Sequence, residues 1–249
     1  MTAESRLNPL GKNAMASEFP PPPSAILFDW DNTLVDNWGA IHEALNLTLA
    51  AMGQEVWTYE ETRLRVQRSL RDSFPEMFGE RWQDARDIFY RSFAEVHLNT
   101  LRPMPGAASL LEKLANSGIY LAVVSNKTGQ YLRLEAAHLG WDKHFSRLIG
   151  ATDAAKDKPA VEPVDMALAD SGISRGPAVW FVGDGAVDVE CARNAGLSAI
   201  LVGESPTGDV AAETAGRSQK IEYVADCFSL AALVQRLRGP ISSTLSVRS

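Results

Sequence analysis

Five short apolar runs recur along the chain, and segments with helical spacing follow most of them. The runs are AILFD at 25–29, IYLAVVS at 119–125, AVWFVGD at 178–184, SAILVG at 198–203 and a weaker EYVAD at 222–226. Runs that are apolar on both faces are typical of strands buried inside a parallel sheet. Their alternation with helices predicts an α/β fold with a doubly wound, Rossmann-like core.

The interval between the first two runs is too long for a single crossover helix. About 90 residues separate them, whereas a crossover between parallel strands needs only about a dozen. Most of the interval has helical spacing, and one of its helices opens with Thr58 and Glu61 in the spacing of a capping box. We therefore predict an inserted α-helical cap domain over 37–102, and an α/β core domain formed by 24–36 and 103–249.

Composition and charge limit which partners the protein can bind and in which cellular compartment it is expected. A net charge of −7 and a pI near 5.2 provide no general attraction to nucleic acid or to an anionic membrane. The two cysteines lie in no metal-binding spacing, and no apolar stretch approaches the about 18 residues of a membrane span. We predict a cytoplasmic protein with no nucleic-acid or membrane partner, and a disordered, proline-rich leader at 1–23.

The first apolar run ends in two carboxylates, Asp29 and Asp31, in AILFDWDNTLVD. Side chains at i and i+2 of a strand point to the same side, so these two converge beyond the carboxyl end of a buried strand. Open α/β sheets bind their ligands at that edge. A metal ion, a shared proton or a turn that exposes both side chains to water would relieve the repulsion. An EF-hand is disfavoured, because its glycine and glutamate positions hold Leu34 and Ala40.

A second acidic pair, Asp184 and Asp188, closes the third run in FVGDGAVDVECARNAG. The two residues are one helical turn apart and can face one ligand from a strand end and a helix start. Capping of the helix is the alternative reading of this pair. Two buried strands that both end in clustered carboxylates form an oxygen-rich site suited to Mg²⁺ holding a phosphate.

Two further segments offer groups that could hold a phosphate. Ser125 and Asn126 end the second run before a helix, where a hydroxyl and free backbone amides can bind a phosphoryl group, although a simple turn also explains them. The segment KDKPAVEP holds Lys156 and Lys158 before another helix. A site with several carboxylates and a phosphate needs a fixed cation, which one of these lysines would supply.

Taken in order, the motifs DxDxTLVD, SN, KP and GDxxxD resemble those of the haloacid dehalogenase superfamily, in particular its phosphoglycolate phosphatase-like branch with a helical cap. The resemblance covers about residues 28 to 203. It implies that Asp29 is the nucleophile, which forms an aspartyl-phosphate, and that Asp31 is the acid/base. Because dehalogenases and phosphonate hydrolases of this superfamily lack the second aspartate, Asp31 points to phosphate esters.

The resemblance also implies a ligand set for Mg²⁺ and phosphate. The ion would bind the Asp29 carboxylate, the Asp31 backbone carbonyl and Asp184, with Asp188 ordering the metal's waters or the lysine. Ser125, backbone amides near Asn126 and Lys158 would hold the phosphoryl oxygens. The lysine motif departs from the KPxPxP pattern of this branch, so Lys156 stays an alternative to Lys158.

We therefore predict a Mg²⁺-dependent phosphatase of a small phosphorylated metabolite, with 2-phosphoglycolate as one candidate. A phosphomutase of the same superfamily and a non-catalytic module that binds phosphorylated ligands or proteins are the alternatives. In the predicted cap, the segment RLRVQRSLRDSF places several arginines close together. Arg68 and Arg71 are predicted to grip a second anionic group of the substrate, and a solvated helix surface is the alternative.

Overall fold

The computed structural model describes residues 19–66, 68–203 and 221–239. Its strands are β1 (Ala25–Phe28), β2 (Val35–Asp36), β3 (Arg102–Pro103), β4 (Tyr120–Thr128), β5 (Arg147–Ala151), β6 (Val179–Gly183), β7 (Ser198–Val202) and β8 (Ile221–Val224). Its α-helices are α1 (Trp38–Ala51), α2 (Tyr59–Arg65), α3 (Leu70–Phe78), α4 (Trp82–Thr100), α5 (Ala107–Asn116), α6 (Gly129–His138), α7 (Glu162–Leu168), α8 (Ala186–Ala195) and α9 (Cys227–Arg238).

Six strands form one parallel sheet in the order β5-β4-β1-β6-β7-β8, which confirms the predicted α/β fold. The all-apolar strand β1 lies in the middle, between β4 and β6, and is fully buried. Its alternate residues serve two cores: Phe28 packs with Leu110 and Leu230 on one face, and Leu27 packs with Val164 on the other. The strand order reverses at β1, so its carboxyl end is a topological switch point, where such sheets bind ligands.

The five apolar runs account for five strands of the six-stranded sheet and miss its edge strand, β5, as well as the short pair β2 and β3. The β5 residues RLIGA open with a charge and contain a glycine, so they do not form a continuous apolar run. Gly150 is required there, because a Cβ at this position would lie 2.4 Å from the Gly129 backbone. The strand is thus determined by close contact with the start of α6 and not by strand propensity.

The helices α1 to α4 lie between β2 and β3, two short antiparallel segments that pair Val35 with Pro103 and Asp36 with Arg102. We refer to α1–α4 as the cap and to the remainder as the core. The cap has an apolar cluster of its own, which includes Leu45, Phe74 and Phe89. These helices fall inside the interval 37–102 predicted for the insert, and the division into domains stays a prediction.

The ends of the chain are described in part. Residues 1–18 of the predicted leader, together with 204–220 and 240–249, lie outside the described residues. Residues 19–23 lie against the core: Phe19 packs on its apolar cluster, and the Trp180 indole donates a hydrogen bond to the Pro21 carbonyl at 3.0 Å. Part of the predicted leader, 19–23, therefore contacts the core, and disorder of the leader as a whole stays a prediction. Among the helices of the described residues, none has the length and apolar character needed to cross a membrane.

Candidate active site

The carboxyl end of β1 carries the first acidic pair into a cleft between core and cap. The Asp29 amide donates to the Val182 carbonyl at 2.8 Å, which extends the sheet ladder by one residue. The chain turns directly after Asp31, where Asn32 adopts a left-handed backbone conformation (φ 62°) that asparagine tolerates well. Asp29 is nearly buried and Asp31 keeps a small exposed area. Both carboxylates thus converge on one cavity, as their spacing predicts.

Lys158 supplies the cation beside Asp29. Its side chain is 1% exposed, and its Nζ donates to Asp29 Oδ1 and Asp188 Oδ1, each at 2.7 Å. Burial lowers the pKa of this ammonium, but the Asp188 and Asp29 carboxylates outweigh that effect and leave the pKa raised. Lys156, in contrast, is 73% exposed and lies 3.5 Å from Glu162. The structure therefore brings Lys158, and not Lys156, into contact with Asp29 and Asp188.

Three carboxylates, those of Asp29, Asp184 and Asp188, place ligand atoms within 4.8 Å of one another. Asp184 is exposed at the mouth of the cleft, but loss of hydration inside the cleft and repulsion from Asp188 and Asp29 raise its pKa, and burial also raises the pKa of Asp188. Such shifts indicate an excess of negative charge that a divalent cation would neutralise. An all-oxygen donor set of this kind fits Mg²⁺.

Asp188 both caps helix α8 and belongs to the cluster of three carboxylates. Its Oδ2 accepts hydrogen bonds from the Asp184 and Gly185 amides at 3.2 and 3.0 Å, so it caps α8, while Oδ1 binds Lys158. Gly183 makes this possible, because a Cβ there would lie 2.2 Å from the Asp188 carboxyl carbon. Helix capping and membership of the acidic cluster are thus compatible.

Ser125 and Asn126 lie at the end of β4 and line the same cavity. The Ser125 hydroxyl accepts a hydrogen bond from the Lys127 amide at 3.2 Å. The Asn126 side chain donates to the Lys158 carbonyl at 3.2 Å and so ties the loop that carries this lysine to β4. The two residues predicted to hold phosphate therefore border the same cavity as Asp29 and Lys158.

Asp31 has different partners from Asp29. The Lys127 ammonium lies 3.0 Å from both Asp31 oxygens, and the Asn37 amide donates to Oδ1 at 3.0 Å. Burial raises the pKa of Asp31, and the Lys127 charge opposes that shift only in part. The Asp31 side chain is not one of the three clustered carboxylates, so its predicted part in metal binding rests on its backbone carbonyl.

A buried carboxylate behind Lys127, that of Glu135, was not predicted as a site residue. Its oxygens accept hydrogen bonds from Trp30 Nε1 at 2.7 Å and Asn37 Nδ2 at 3.0 Å, and lie 2.8 Å from His97 Nδ1 and 3.3 Å from Lys127 Nζ. Burial would raise the pKa of Glu135, but Lys127 and the hydrogen-bond donors leave it lowered. Glu135 lies on the same face of α6 as the buried Leu132 and Ala136. A charged residue at a helical spacing that predicts burial is the sequence signal that could have revealed it.

The two cap arginines have protein partners already. Arg68 lines the cavity and donates to Glu76 at 3.1 Å. Arg71 pairs with the buried Asp157, which precedes Lys158 in the chain: its Nε donates to Oδ2 at 3.0 Å, and its Nη2 lies 2.6 Å from Oδ1. Among the described residues, Arg71 is not part of the cavity lining. The structure thus places Arg71 in a cap-to-core ion pair, away from the position predicted for it, because a buried carboxylate needs a cationic partner.

A cavity of about 650 Å³ extends from these residues into the cap. We call its polar base the site floor, formed by Asp29, Asp31, Ser125, Lys127, Lys158 and Asp184. We call its apolar side the cap wall, formed by Trp38, Ile41, Leu45, Phe74, Met77 and Phe93. The two meet where the Lys127 ammonium lies 4.7 Å from the centre of the Phe93 ring.

Comparison with known proteins identifies the family of this chain. Residues 26–202 match the family described as haloacid dehalogenase-like hydrolase, and this match spans most of the chain. The chain belongs to the haloacid dehalogenase-like hydrolases. The resemblance stated from the motifs is confirmed, and so is the prediction that the protein is an enzyme of this hydrolase family.

Relatives within the haloacid dehalogenase-like hydrolases agree with the observed fold. The chain is 28% identical to a phosphoglycolate phosphatase of Rhodobacter capsulatus, over 72% of this chain and 84% of that protein. It is 29% identical to a phosphoglycolate phosphatase of Aquifex aeolicus, over 71% and 83% of the two chains. The structure of a haloacid dehalogenase-like hydrolase from Streptococcus pneumoniae superimposes with a TM-score of 0.73, at 21% identity, over 86% of this chain and 99% of that one.

Proposed function

We propose that this protein is a Mg²⁺-dependent phosphatase that hydrolyses a phosphate monoester through an aspartyl-phosphate on Asp29. The observation that carries the proposal is the unlike surroundings of the two aspartates at the end of β1. Asp29 binds Lys158 beside two further carboxylates, whereas Asp31 binds Lys127 and Asn37. Two carboxylates with separate environments can take separate roles in acid/base and nucleophilic catalysis.

Asp29 is the proposed nucleophile. Its Oδ1 is held by Lys158, so its orientation toward the cavity is restricted before substrate arrives. Attack of the carboxylate on phosphorus forms the acyl phosphate and breaks the bond to the alcohol oxygen. Water then hydrolyses this intermediate and regenerates the carboxylate.

Asp31 is the proposed acid/base. In the first step it donates a proton to the departing alcohol oxygen, and in the second it accepts a proton from the attacking water. Its raised pKa favours the protonated form that the first step needs. Lys127 keeps the shift moderate, which lets the same group act as a base afterwards.

Asp29, Asp184 and Asp188 are the proposed side-chain ligands of Mg²⁺, together with the Asp31 carbonyl. When bound, the ion would offset the negative charge of the carboxylate and of the phosphate dianion. Ser125 and the neighbouring backbone amides would bind phosphoryl oxygens, with Lys158 as the fixed positive charge beside them. Asn126 would act by holding the loop of Lys158 in place.

The substrate is proposed to be a small phosphorylated metabolite. The names of the curated relatives make 2-phosphoglycolate the first compound to assay. A cytoplasmic location remains a prediction, based on a composition with two cysteines, both free and buried.

The test is phosphate release from a panel of phosphorylated metabolites, with Mg²⁺, with EDTA, and with Asp29→Asn. We expect EDTA to abolish turnover and Asp29→Asn to lower kcat by at least about a thousandfold. Asp84→Asn, on an exposed part of α4, is the matched control and should leave kcat unchanged. Phosphate release that survives EDTA or the Asp29→Asn change would contradict the mechanism. Transfer of the phosphoryl group within the substrate, without release, would identify a phosphomutase instead.

A further inference from the structure

The cavity above the site floor is larger and more apolar than a two-carbon acid requires. Its volume of about 650 Å³ lies in the range of sites that enclose drug-sized ligands, roughly 300–1,000 Å³. Helices α1, α3 and α4 all contribute apolar side chains to the cap wall, among them Trp38, Phe74 and Phe93. Of the wall residues, Trp38, Ile41 and Met77 are partly exposed, and a substrate that ended a few atoms from the phosphorus would leave this apolar surface facing water.

Within the described part of the cavity lining, the cap arginines Arg63, Arg65 and Arg68 all have partners in the protein. Arg68 pairs with Glu76, and Arg65 binds Glu61 at 2.9 Å while its guanidinium stacks 4.7 Å from the centre of the Trp57 ring. A substrate carboxylate that approached these arginines would also come close to the Glu61 and Glu76 carboxylates, which would repel it. Flat cations stacked on indole rings instead extend a surface that suits aromatic groups.

From these observations we infer that the substrate is a phosphate monoester whose leaving alcohol carries a bulky apolar, ring-containing group that packs on the cap wall. The inference rests on the proposed phosphatase function and specifies its substrate class. The phosphate would lie on the site floor beside Lys158 and Ser125, and the ring would extend toward Ile41 and Met77. Contact with the wall removes apolar surface from water, and this burial stabilises the complex without any contact to a charged group.

The first test compares four monoesters of primary alcohols: ethyl, benzyl and naphthylmethyl phosphate, and 2-phosphoglycolate. Primary alkoxides are similar leaving groups, so differences in kcat/KM report contacts made by the rest of the substrate. We expect kcat/KM to rise from ethyl to benzyl to naphthylmethyl phosphate, by at least about tenfold at the first step, and 2-phosphoglycolate to be no better than ethyl phosphate. A higher kcat/KM for 2-phosphoglycolate than for naphthylmethyl phosphate would overturn the inference and leave the phosphatase function intact.

Substitutions on α1 test whether the cap wall is responsible. Ile41→Lys places a charge in the wall and should lower kcat/KM for naphthylmethyl phosphate by at least about tenfold, with a change below about threefold for ethyl phosphate. Leu47→Lys, on the same helix but 51% exposed and outside the described lining, is the matched control and should preserve the ranking. If Ile41→Lys does not fold, Ile41→Ala should reduce the preference in the same direction. An unchanged preference in the folded Ile41 variants would refute the role of the wall.

Binding of phosphonates separates this inference from the phosphatase proposal. Naphthylmethylphosphonate and ethylphosphonate have a carbon–phosphorus bond in place of the ester oxygen and remain intact in the site. Calorimetric titration with Mg²⁺ present should show tighter binding of the naphthyl compound, weakened by Ile41→Lys. Such binding without turnover of any ester would support the substrate class and refute the catalytic proposal. Equal affinity for the two phosphonates would refute the substrate class.

Discussion

The site floor and the cap wall enclose one cavity but are stabilised by different forces. In the floor, charges meet opposite charges: Lys158 lies between Asp29 and Asp188, and Lys127 lies between Asp31 and Glu135. In the cap, rings pack on rings, as in the edge-to-face pair of Phe74 and Phe89 with centroids 5.8 Å apart. Buried charges hold their partners in narrow geometry, whereas apolar contacts tolerate exchange. We therefore expect substitutions in the floor to alter chemistry and stability, and substitutions in the wall to alter selectivity.

Among the substitutions that compare floor and wall, the largest effect is expected on kcat when Asp31 is replaced. Asp31→Asn removes the proposed proton donor and should lower kcat for alkyl monoesters by about 10²- to 10⁴-fold. The loss should be much smaller for p-nitrophenyl phosphate, whose leaving group departs without a proton. Kinetics with both substrates check this expectation. An equal loss with the two substrates would mean that Asp31 acts otherwise than as an acid.

The next largest effect is expected on the free energy of unfolding when Glu135 is replaced. Glu135→Leu removes the acceptor of the buried Trp30 indole and His97 ring and one of the two carboxylates beside Lys127, and should lower the free energy of unfolding by about 3–5 kcal/mol. Urea unfolding measures this loss. Phe93→Leu in the cap wall keeps an apolar side chain and provides the contrast, with an expected cost below about 1.5 kcal/mol. A smaller loss for Glu135→Leu than for Phe93→Leu would contradict the distinction between the buried charges that support the floor and the apolar contacts of the wall.

The same residue predicts a direction for the pH dependence. The pKa of Glu135 is lowered on folding, so its contribution to stability is complete above the unfolded value of 4.5 and is lost as the pH falls through the lower folded value. Unfolding curves of the Glu135→Leu protein should therefore depend less on pH in this acid range than those of the unaltered protein.

Mg²⁺ should stabilise the folded protein by an intermediate amount, about 2.7 kcal/mol at 100 times its dissociation constant. Because the pKa of Asp184 is raised on folding, its ionisation opposes folding once the pH exceeds the unfolded value of 3.8. The ion removes that penalty, so its effect on Tm should grow as the pH rises. Because the Asp184 side chain is exposed and water screens much of this penalty, Asp184→Asn should raise the Tm only slightly without Mg²⁺, and it should reduce the response to the ion. An unchanged response would exclude Asp184 as a ligand.

The smallest effects are expected at the two cap arginines. Arg71→Ala leaves the buried Asp157 without its cation and should cost about 1–3 kcal/mol of unfolding free energy, since the arginine itself is partly exposed. Arg68→Ala breaks an exposed pair and should leave the Tm unchanged. Neither change should alter KM for naphthylmethyl phosphate, because its ring needs no cation. A large rise in KM with Arg68→Ala would support the prediction that this residue binds an anionic group.

Features that depend on local spacing were readable from the sequence. The apolar run of β1 predicts a central buried strand because both of its faces are apolar, and the structure places it at the middle of the sheet. The capping box of Thr58 and Glu61 forms as its spacing predicts. Strand β5 was missed because Gly150 and Arg147 interrupt its apolar character, although close contact with α6 holds it in the sheet.

The sequence alone also determined which chemical groups meet at the strand ends, since parallel strands bring their carboxyl ends to one edge: hence Asp29, Asp31, Ser125 and Asp184. Only the tertiary structure decided which cationic side chain pairs with which carboxylate. Lys158 rather than Lys156 reaches Asp29, Lys127 reaches Asp31 across 96 positions of the chain, and Arg71 turns to Asp157. The physical reason is that a charge is paired by the nearest opposite charge in space, and in a buried site that distance depends on how helices and loops pack.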